Sequence, residues 1–242
     1  MSSLVWKKRQ MKLRGLANLA YSYSLLRYTR INRAELKKQI AGAKIDRLHV
    51  GCGNVLLEGW LNIFFEPREE YGRLRQENNA WLLNYNLLKV WPINDGTIQY
   101  VAGSHFIEHL DLNHGIAFLK ECYCVMKKGG VIRLSCPDLE LYARSYINRN
   151  HNFFNQSLIR EGCTFKAAQT YGEIFIAKAY DSGGSHKWFY DFESLQHIMQ
   201  LAGFVHVKRC QRLEGQMPDL EMLEPIGREI ETVYVEATKK DL

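Results

Sequence analysis

The chain of 242 residues is long enough to bury a sizeable core, and with 46% hydrophobic and 24% charged residues it has the composition of a globular protein. No run approaches the roughly 18 consecutive apolar residues of a membrane-spanning helix. The six scattered cysteines include no CxxC pair, which excludes a disulfide scaffold and indicates reduced, mostly buried thiols in a cytoplasmic protein without a metal site.

The net charge of +6 is unevenly distributed along the chain. Residues 1–47 hold twelve Lys or Arg against two acidic residues, whereas the remainder holds 20 basic and 24 acidic residues. Residues 4–41 have apolar positions at helical spacing, which predicts a basic helical extension over 1–44. Three interpretations are open. The helices could pack on the main domain with a solvated basic face, or residues 1–41 could dock on an anionic membrane surface. Nucleic-acid binding is the least favoured, because no stacking platform accompanies the charge.

From residue 46 onward, short apolar runs alternate with helical patterns. Strands are predicted at "RLHVGC" (47–52), "GWLNIFF" (59–65), "IQYVAGS" (98–104), "GVIRLSC" (130–136), "FVHVKRC" (204–210) and "ETVYVEATK" (231–239). Helices are predicted at 112–127, followed by the glycine pair 129–130 as a cap, and from Asp191 to Gly203. Such alternation predicts one α/β domain over 45–242, with a doubly wound, mostly parallel sheet and helices on both faces.

Residues 139–188 interrupt this alternation. The segment is aromatic-rich, helical in pattern and ends in "DSGGSHKWFYD". A long insertion after a strand is where open α/β sheets place lids and substrate contacts. We therefore expect either a helical lid or an extra helical layer covering the sheet.

A glycine loop follows the first predicted strand. Gly51, Cys52 and Gly53 come directly after "RLHV", and a helix is expected to follow them. The position where a dinucleotide-binding loop has its third glycine is Leu56, so that pattern is broken. A tight strand-to-helix turn without a ligand is the alternative.

Several segments in fixed order resemble one enzyme family. The segments "LHVGCGN", "EGWLNI", "NLLKVWPINDGTIQYVAGSHFIEHL", "FLKECYCVMKKGGVIRLSCPD" and "LQHIMQLAGF" are similar to class I S-adenosylmethionine-dependent methyltransferases. They most resemble the small group associated with cell-surface polysaccharide and lipopolysaccharide synthesis. The resemblance implies a seven-stranded Rossmann-like sheet with a final antiparallel strand, S-adenosylmethionine as cofactor, and a small or glycan-linked acceptor.

The cofactor has no phosphate, which explains why two glycines suffice. The resemblance implies carboxylates where this chain has Phe64, Asn86 and Gln99. Glu66 lies one pleat repeat beyond Phe64 on the same face of the strand, so it is the candidate for the ribose, and the Asn86 side-chain oxygen is the candidate for the adenine amine. The predicted cofactor-binding residues are Gly51, Cys52, Gly53, Glu66, Asn86, Ser104 and His105.

Transfer of a methyl group to a sugar hydroxyl requires a base. His186 lies in a glycine-flanked segment and is the first candidate, with His109 and Asp138 next. His109 and its neighbour Glu108 alternatively begin a helix, and Asp138 alternatively caps one. The rivals to the enzyme are a non-catalytic methyltransferase-fold binding protein, favoured by the missing carboxylates, and a nucleic-acid methyltransferase.

Overall fold

The computed structural model describes residues 32–66, 70–160, 170–179 and 186–241, without the side chains of 157–160. The predicted helices before residue 32, Cys163 and parts of the insertion lie outside these residues. The strands are β1 (Arg47–Val50), β2 (Leu61–Phe64), β3 (Leu74–Glu77), β4 (Ala80–Asn84), β5 (Ile98–Ser104), β6 (Met126–Pro137), β7 (Phe204–Cys210) and β8 (Thr232–Lys239). All six predicted strands are therefore present, with boundaries shifted by a few residues.

The strands form one mixed sheet of order β3-β4-β2-β1-β5-β6-β8-β7. Strands β4, β2, β1, β5 and β6 are parallel, and β8 is antiparallel to both β6 and β7, as predicted for the final strand. The prediction of seven strands was wrong by one, because β3 pairs antiparallel with β4 at the edge of the sheet. Asn78 and Asn79 join these two strands with φ of 46° and 63°, the left-handed conformation that two-residue hairpin turns require.

Helices cover one face of the sheet. They are α1 (Arg33–Gly42), α2 (Leu112–Val125) and α6 (Phe192–Leu201). The insertion between α2 and α6 contributes the helices α3 (Leu139–Ile147), α4 (His151–Arg160) and α5 (Tyr171–Ala179). Leu36 and Ile40 of α1 belong to the main hydrophobic core, so the end of the predicted extension is part of the sheet domain. Asp191 caps α6 and Gly203 follows it with φ of 103°, which confirms the predicted limits of this helix.

The end of α2 differs from the prediction. The helix stops at Val125, and Gly129 and Gly130 lie inside β6 instead of forming a cap. Ile98 pairs with Met126 but Tyr100 pairs with Val131, so β6 carries extra residues opposite β5 in an irregular bulge. On α2, Cys122 is buried but Cys124 is exposed, so Cys124 departs from the predicted burial of the thiols.

The opposite face is covered mainly by irregular chain. Residues 52–60 and 211–225, which include the short helix α7 (Leu220–Leu223), pack on the sheet through a second apolar cluster of Leu57, Trp60, Ala102, Val131, Met217 and Leu223. Helices were predicted on both faces of the sheet. In the described residues the prediction holds for one face, whereas the other face carries only the short helix α7.

The insertion forms a helical unit around one aromatic residue. Tyr142 of α3 is fully buried and contacts the rings of Phe153, Phe154, Phe175 and Phe189, which come from α4, α5 and the strand-like segment after 186. The predicted helical character of 139–188 is confirmed where the structure describes it. In the described part of the chain, no helix is both long and apolar enough to cross a membrane.

Candidate functional site

A cleft of about 350 Å³ opens at the carboxyl ends of β1 and β5. From β1 the chain builds β2 and β4 on one side and then crosses to β5 and β6 on the other, so the cleft lies where the strand order reverses. Open α/β sheets bind ligands at this point. The lining residues are His49, Gly51, Cys52, Gly53, Asn54, Val55, Ser104, His105, Leu223, Pro225 and Arg228.

The glycine loop forms one wall of the cleft. Gly51 and Gly53 have φ of 62° and 52°, a left-handed backbone conformation that costs free energy for residues other than glycine. A Cβ atom on Gly51 would lie 2.4 Å from Cδ2 of Phe106, whereas nothing lies within 4 Å of the corresponding position on Gly53. The backbone at Gly51 is therefore packed against the chain that follows β5, and the backbone at Gly53 faces open space.

The predicted helix after Gly53 is absent. Residues 51–60 form turns and lead directly into β2. The reason is Asn62, a fully buried residue of β2 whose side-chain oxygen accepts from the Leu57 amide at 2.9 Å and whose amide donates to the carbonyls of Leu57, Trp60 and Trp81. The loop thus presents glycine backbone to the cleft without the helix N-terminus that binds a pyrophosphate.

His49 lies at the base of the cleft. It is 3% exposed, and its Nδ1 lies 3.1 Å from Oδ1 of Asn62. Burial lowers the pKa of His49 to about 4, while the hydrogen bond to Asn62 opposes that effect. The imidazole is therefore neutral at physiological pH, and Nδ1 donates to the amide oxygen.

The third wall comes from the segment before β8. Leu223, Pro225 and the exposed Arg228 line the cleft there. A buried charge network fixes this segment to the sheet: the guanidinium of Arg133, which is 3% exposed, donates to the carboxylates of Glu224 and Glu236 and to the carbonyls of Gln211 and Glu214. Arg228 is thereby held at the mouth of the cleft as its only charged lining residue among those described, the two histidines aside.

His105 ends β5 in the left-handed conformation, with φ of 49°. Thr232 donates its hydroxyl to the Arg228 carbonyl at 2.6 Å, so Nε2 of His105, 3.1 Å away, donates to Thr232. Nδ1 of His105 faces Oε1 of Glu108 at 3.3 Å. A non-glycine residue in this conformation at the edge of a cleft is typical of a functional position.

The two histidines predicted to act on the acceptor come together beside this cleft. The rings of His109 and His186 have centroids 4.9 Å apart, and both are half-buried. The backbone amides of Lys187 and Trp188 donate to the carbonyl of Glu108, which docks the end of the insertion on the short 3₁₀ helix Ile107–His109. The alternative that Glu108 and His109 sit on a helix is thus confirmed for this one turn.

Glu108, between His105 and His109 along the chain, is 1% exposed. Burial, the largest influence, raises the pKa of Glu108, but His105 and His109 together outweigh it and hold the pKa below its ordinary value. The carboxylate is therefore ionised at physiological pH.

Asp138 has a structural role. Its side chain accepts from the Glu140 amide at 3.0 Å as the N-cap of α3 and pairs with Arg209. Burial raises the pKa of Asp138, and Arg209 opposes that shift. Asp138 is not among the residues that line the cleft.

Of the predicted cofactor residues, Gly51, Cys52, Gly53, Ser104 and His105 line the cleft, and Glu66 and Asn86 do not. Glu66 is exposed, with its backbone amide and carbonyl bonded to the side chain of Asn84. The side-chain oxygen of Asn86 accepts from the Leu88 amide at 2.9 Å.

Gln99 lies near the start of β5, five residues before Ser104. At about 3.3 Å per residue, that spacing places it roughly 16 Å from the carboxyl end of the strand. A side chain at this position is therefore remote from the cleft.

The lining residues that the sequence did not predict are His49, Asn54, Val55, Leu223, Pro225 and Arg228. His49 lies in the predicted first strand two residues before the loop, where the pleat places it on the same face as Gly51. No sequence signal connects residues 223–228 to the glycine loop.

No protein-family model matches the chain, and no curated protein matches it. Its backbone is similar to that of an S-adenosylmethionine-dependent methyltransferase from Archaeoglobus fulgidus, with 18% identity, coverage of 86% of this chain and 92% of that one, and a TM-score of 0.45. A second S-adenosylmethionine-dependent methyltransferase, from Thermotoga maritima, has 19% identity, coverage of 85% and 91%, and a TM-score of 0.46. Phosphoethanolamine N-methyltransferase 2 of Haemonchus contortus, solved with S-adenosyl-L-methionine, has 11% identity, coverage of 80% and 48%, and a TM-score of 0.43. The function proposed next is therefore argued from the residues of the cleft.

Proposed function

We propose that the chain is an S-adenosylmethionine-dependent methyltransferase that acts on a hydroxyl of a sugar or glycan-linked acceptor. The observation that carries the proposal is the cleft at the reversal of strand order, whose wall is the left-handed glycine loop after β1. Its volume of about 350 Å³ lies in the range of clefts that hold small molecules.

The charges of the cleft fit this cofactor better than a dinucleotide. S-adenosylmethionine carries a carboxylate but no phosphate, and the loop offers backbone groups without a helix N-terminus. Arg228 at the mouth is a cation able to pair with the carboxylate. Polar groups of Asn54 and Ser104 line the same space and are available to the ribose or adenine.

Titration of the purified protein with S-adenosylhomocysteine tests the proposal. We expect one molecule to bind per chain by calorimetry, with a rise in melting temperature. No heat and no thermal stabilisation at millimolar ligand would overturn the assignment.

The acceptor half of the proposal rests on His109 and His186. In methyl transfer, the acceptor oxygen attacks the methyl carbon, the C–S bond breaks, and its electron pair stays on sulfur. The hydroxyl proton must pass to a base, and Nδ1 of His186 donates to the Lys178 carbonyl at 3.1 Å, which leaves Nε2 as the proton acceptor. His186→Ala should abolish transfer to a hydroxyl while cofactor affinity is unchanged, and full activity of the variant would rule out this role.

A non-catalytic binding protein is the alternative that a specific observation favours. Among the described residues, no carboxylate lines the cleft. The backbone amide of Glu66 donates to the side chain of Asn84, and the side-chain oxygen of Asn86 accepts from the Leu88 amide. Binding of S-adenosylhomocysteine without transfer to any hydroxyl, amine or carboxyl acceptor tested would support this alternative.

We further propose that the basic N-terminal segment docks on an anionic membrane surface. Residues 1–31 contain seven Lys or Arg and no acidic residue, which supports attraction to anionic lipid. Nucleic acid remains the less favoured partner, because the charge is not accompanied by a recognisable nucleic-acid-binding motif.

A further inference from the structure

Three potential metal ligands converge where the insertion docks on the 3₁₀ helix. One ligand atom each from Glu108, His109 and His186 lies within 4.8 Å of the other two. We propose that these three residues bind a divalent transition-metal ion of the zinc type. The site goes beyond the proposed function, because metal binding requires neither the methyl donor nor an acceptor.

The first argument is a buried carboxylate whose two oxygens have no well-aligned hydrogen-bond donor among the described residues. Glu108 is 1% exposed, and no described group donates a well-aligned hydrogen bond to either of its carboxylate oxygens. The nearest ring nitrogen is Nδ1 of His105, at 3.3 Å from Oε1. A buried anion needs a partner that replaces its lost hydration, and a metal ion supplies one.

The second argument is the orientation of His186. Its Nδ1–H donates to the Lys178 carbonyl at 3.1 Å. Metal-ligating histidines almost always use one ring nitrogen in this way, which fixes the ring and leaves the other nitrogen for the metal. Nε2 of His186 is thus the predicted ligand atom, and it belongs to the same group as His109, whose ring centroid lies 4.9 Å away.

The third argument is geometric. Tetrahedral zinc with ligands at about 2.0–2.1 Å places its donor atoms roughly 3.4 Å apart. The present separations of up to 4.8 Å therefore have to contract by about 1.4 Å at most, a shift of the size that small changes in side-chain torsion angles produce.

Three protein ligands leave a fourth coordination position open, as in catalytic zinc sites. Glu108 contacts His105, which lines the cleft, so the three ligands lie next to the cleft. A bound ion would make a coordinated hydroxyl more acidic and would take over the activation otherwise assigned to the His186 imidazole. Imidazole and carboxylate ligands are compatible with zinc, cobalt and iron, so Zn²⁺ and Co²⁺ are suitable probes.

The test uses the full chain, purified without a polyhistidine tag and stripped with a chelator. We expect one Zn²⁺ per chain after dialysis, measured by elemental analysis, and a visible absorption spectrum of bound Co²⁺. Glu108→Gln, which keeps the shape and removes the charge, and His186→Ala should each weaken Zn²⁺ binding by at least about tenfold. His114→Ala is the matched control, because His114 pairs with Asp111 at 2.6 Å on the surface without a third ligand, and it should bind as the unaltered protein does.

Two results would overturn the site: no Zn²⁺ uptake by the unaltered protein, or equal uptake by Glu108→Gln. Far-ultraviolet circular dichroism and melting temperature without metal show whether a variant is folded, and Zn²⁺ should raise the melting temperature of the unaltered protein but not of Glu108→Gln. Binding of S-adenosylhomocysteine to the stripped protein is measured separately, so failure of the methyltransferase proposal is distinguishable from failure of the metal site.

Discussion

At the scale of single residues, the two glycines of the cleft differ in what surrounds them. Both have left-handed φ, but a Cβ on Gly51 would lie 2.4 Å from Phe106, whose ring packs on Phe118 with centroids 5.1 Å apart, whereas Gly53 faces open space. Gly53→Ala should cost only the backbone strain of about 1–2 kcal/mol. Gly51→Ala adds a clash that Phe106 cannot relieve without moving Phe118.

We therefore expect Gly51→Ala to lower the melting temperature at least twice as much as Gly53→Ala, which should lose about 2–8 °C. Gly51→Ala should also weaken binding of S-adenosylhomocysteine more strongly, because the displaced Phe106 directly follows the cleft residue His105. Thermal unfolding and calorimetry measure the two effects. Equal losses in both variants would show that Phe106 yields easily and that the close packing at Gly51 is unimportant.

His49 makes stability depend on pH. Burial lowers its pKa in the folded protein from 6.5 to about 4, so between these values the unfolded chain binds more protons than the folded one. The free energy of unfolding is therefore not reduced by His49 above pH 6.5. As the pH falls from 6.5 to 4, the free energy of unfolding decreases by about 3 kcal/mol on account of His49.

His49→Asn keeps a donor for Asn62 and removes the titration. Urea unfolding at a series of pH values should show a steeper loss of stability for the unaltered protein than for the variant between pH 6.5 and 4. Parallel profiles would mean that His49 is not held neutral by the fold.

At the scale of elements, the sequence predicts what depends on local pattern. The six long apolar runs and the limits of α6 follow from periodicity and capping residues, and the structure confirms them. In the hairpin, β3 is missed because "LRQE" is polar and half-exposed at the sheet edge, where packing does not impose an apolar pattern. Two local signals would have revealed the hairpin: the Asn78-Asn79 pair and the mostly buried apolar run "AWLLN" of β4.

The helix expected after Gly53 fails for a non-local reason. The side chain of Asn62 holds residues 57–60 through hydrogen bonds to their backbone, and its partners include the Trp81 carbonyl on a different strand. The third wall of the cleft is equally non-local, since residues 223–228 reach it through the network around Arg133 on β6. Half of the candidate site could thus be predicted from the glycine loop and the end of β5, and the rest depends on tertiary contacts.

That network provides a prediction for the segment 211–228. Arg133→Met would leave the buried carboxylate of Glu224 without its ion pair and Glu236 with only Lys208 at 3.7 Å, which should cost about 3–5 kcal/mol and weaken binding of S-adenosylhomocysteine as the wall loosens. Arg144→Met is the control, because its ion pair with Glu140 is 71% exposed on the arginine side and should contribute less than about 1 kcal/mol.

Chemical denaturation measures both variants. Replacing both glutamates by Gln in the Arg133→Met background should restore part of the loss, because the uncompensated charges are then gone. A loss for Arg133→Met no larger than that of Arg144→Met would show that the network does not hold the segment.

At the scale of the whole molecule, the positive charge is concentrated before residue 32. Residues 1–31 carry +7, and the remaining 25 basic and 26 acidic residues sum to −1. Asn32 caps α1 by accepting from the Glu35 amide at 3.1 Å, and α1 buries Leu36 and Ile40 in the main core. Removal of residues 1–31 therefore takes away the cationic segment and leaves α1 with its cap.

The truncation separates the interpretations of that segment. If it docks on membranes, the shortened protein should lose co-sedimentation with anionic vesicles, and the full chain should lose it as salt is raised, because attraction between exposed charges is screened. The protein without residues 1–31 should keep the melting temperature and the S-adenosylhomocysteine binding of the full chain. Removal of residues 1–42 should instead destabilise the fold, because it exposes the core beneath Leu36 and Ile40. Unchanged vesicle binding would reject docking, and a lower melting temperature without residues 1–31 would instead indicate that these residues pack on the domain. Vesicles of neutral lipid serve as the control. The full chain should not bind them, because the expected attraction is between the positive segment and anionic lipid.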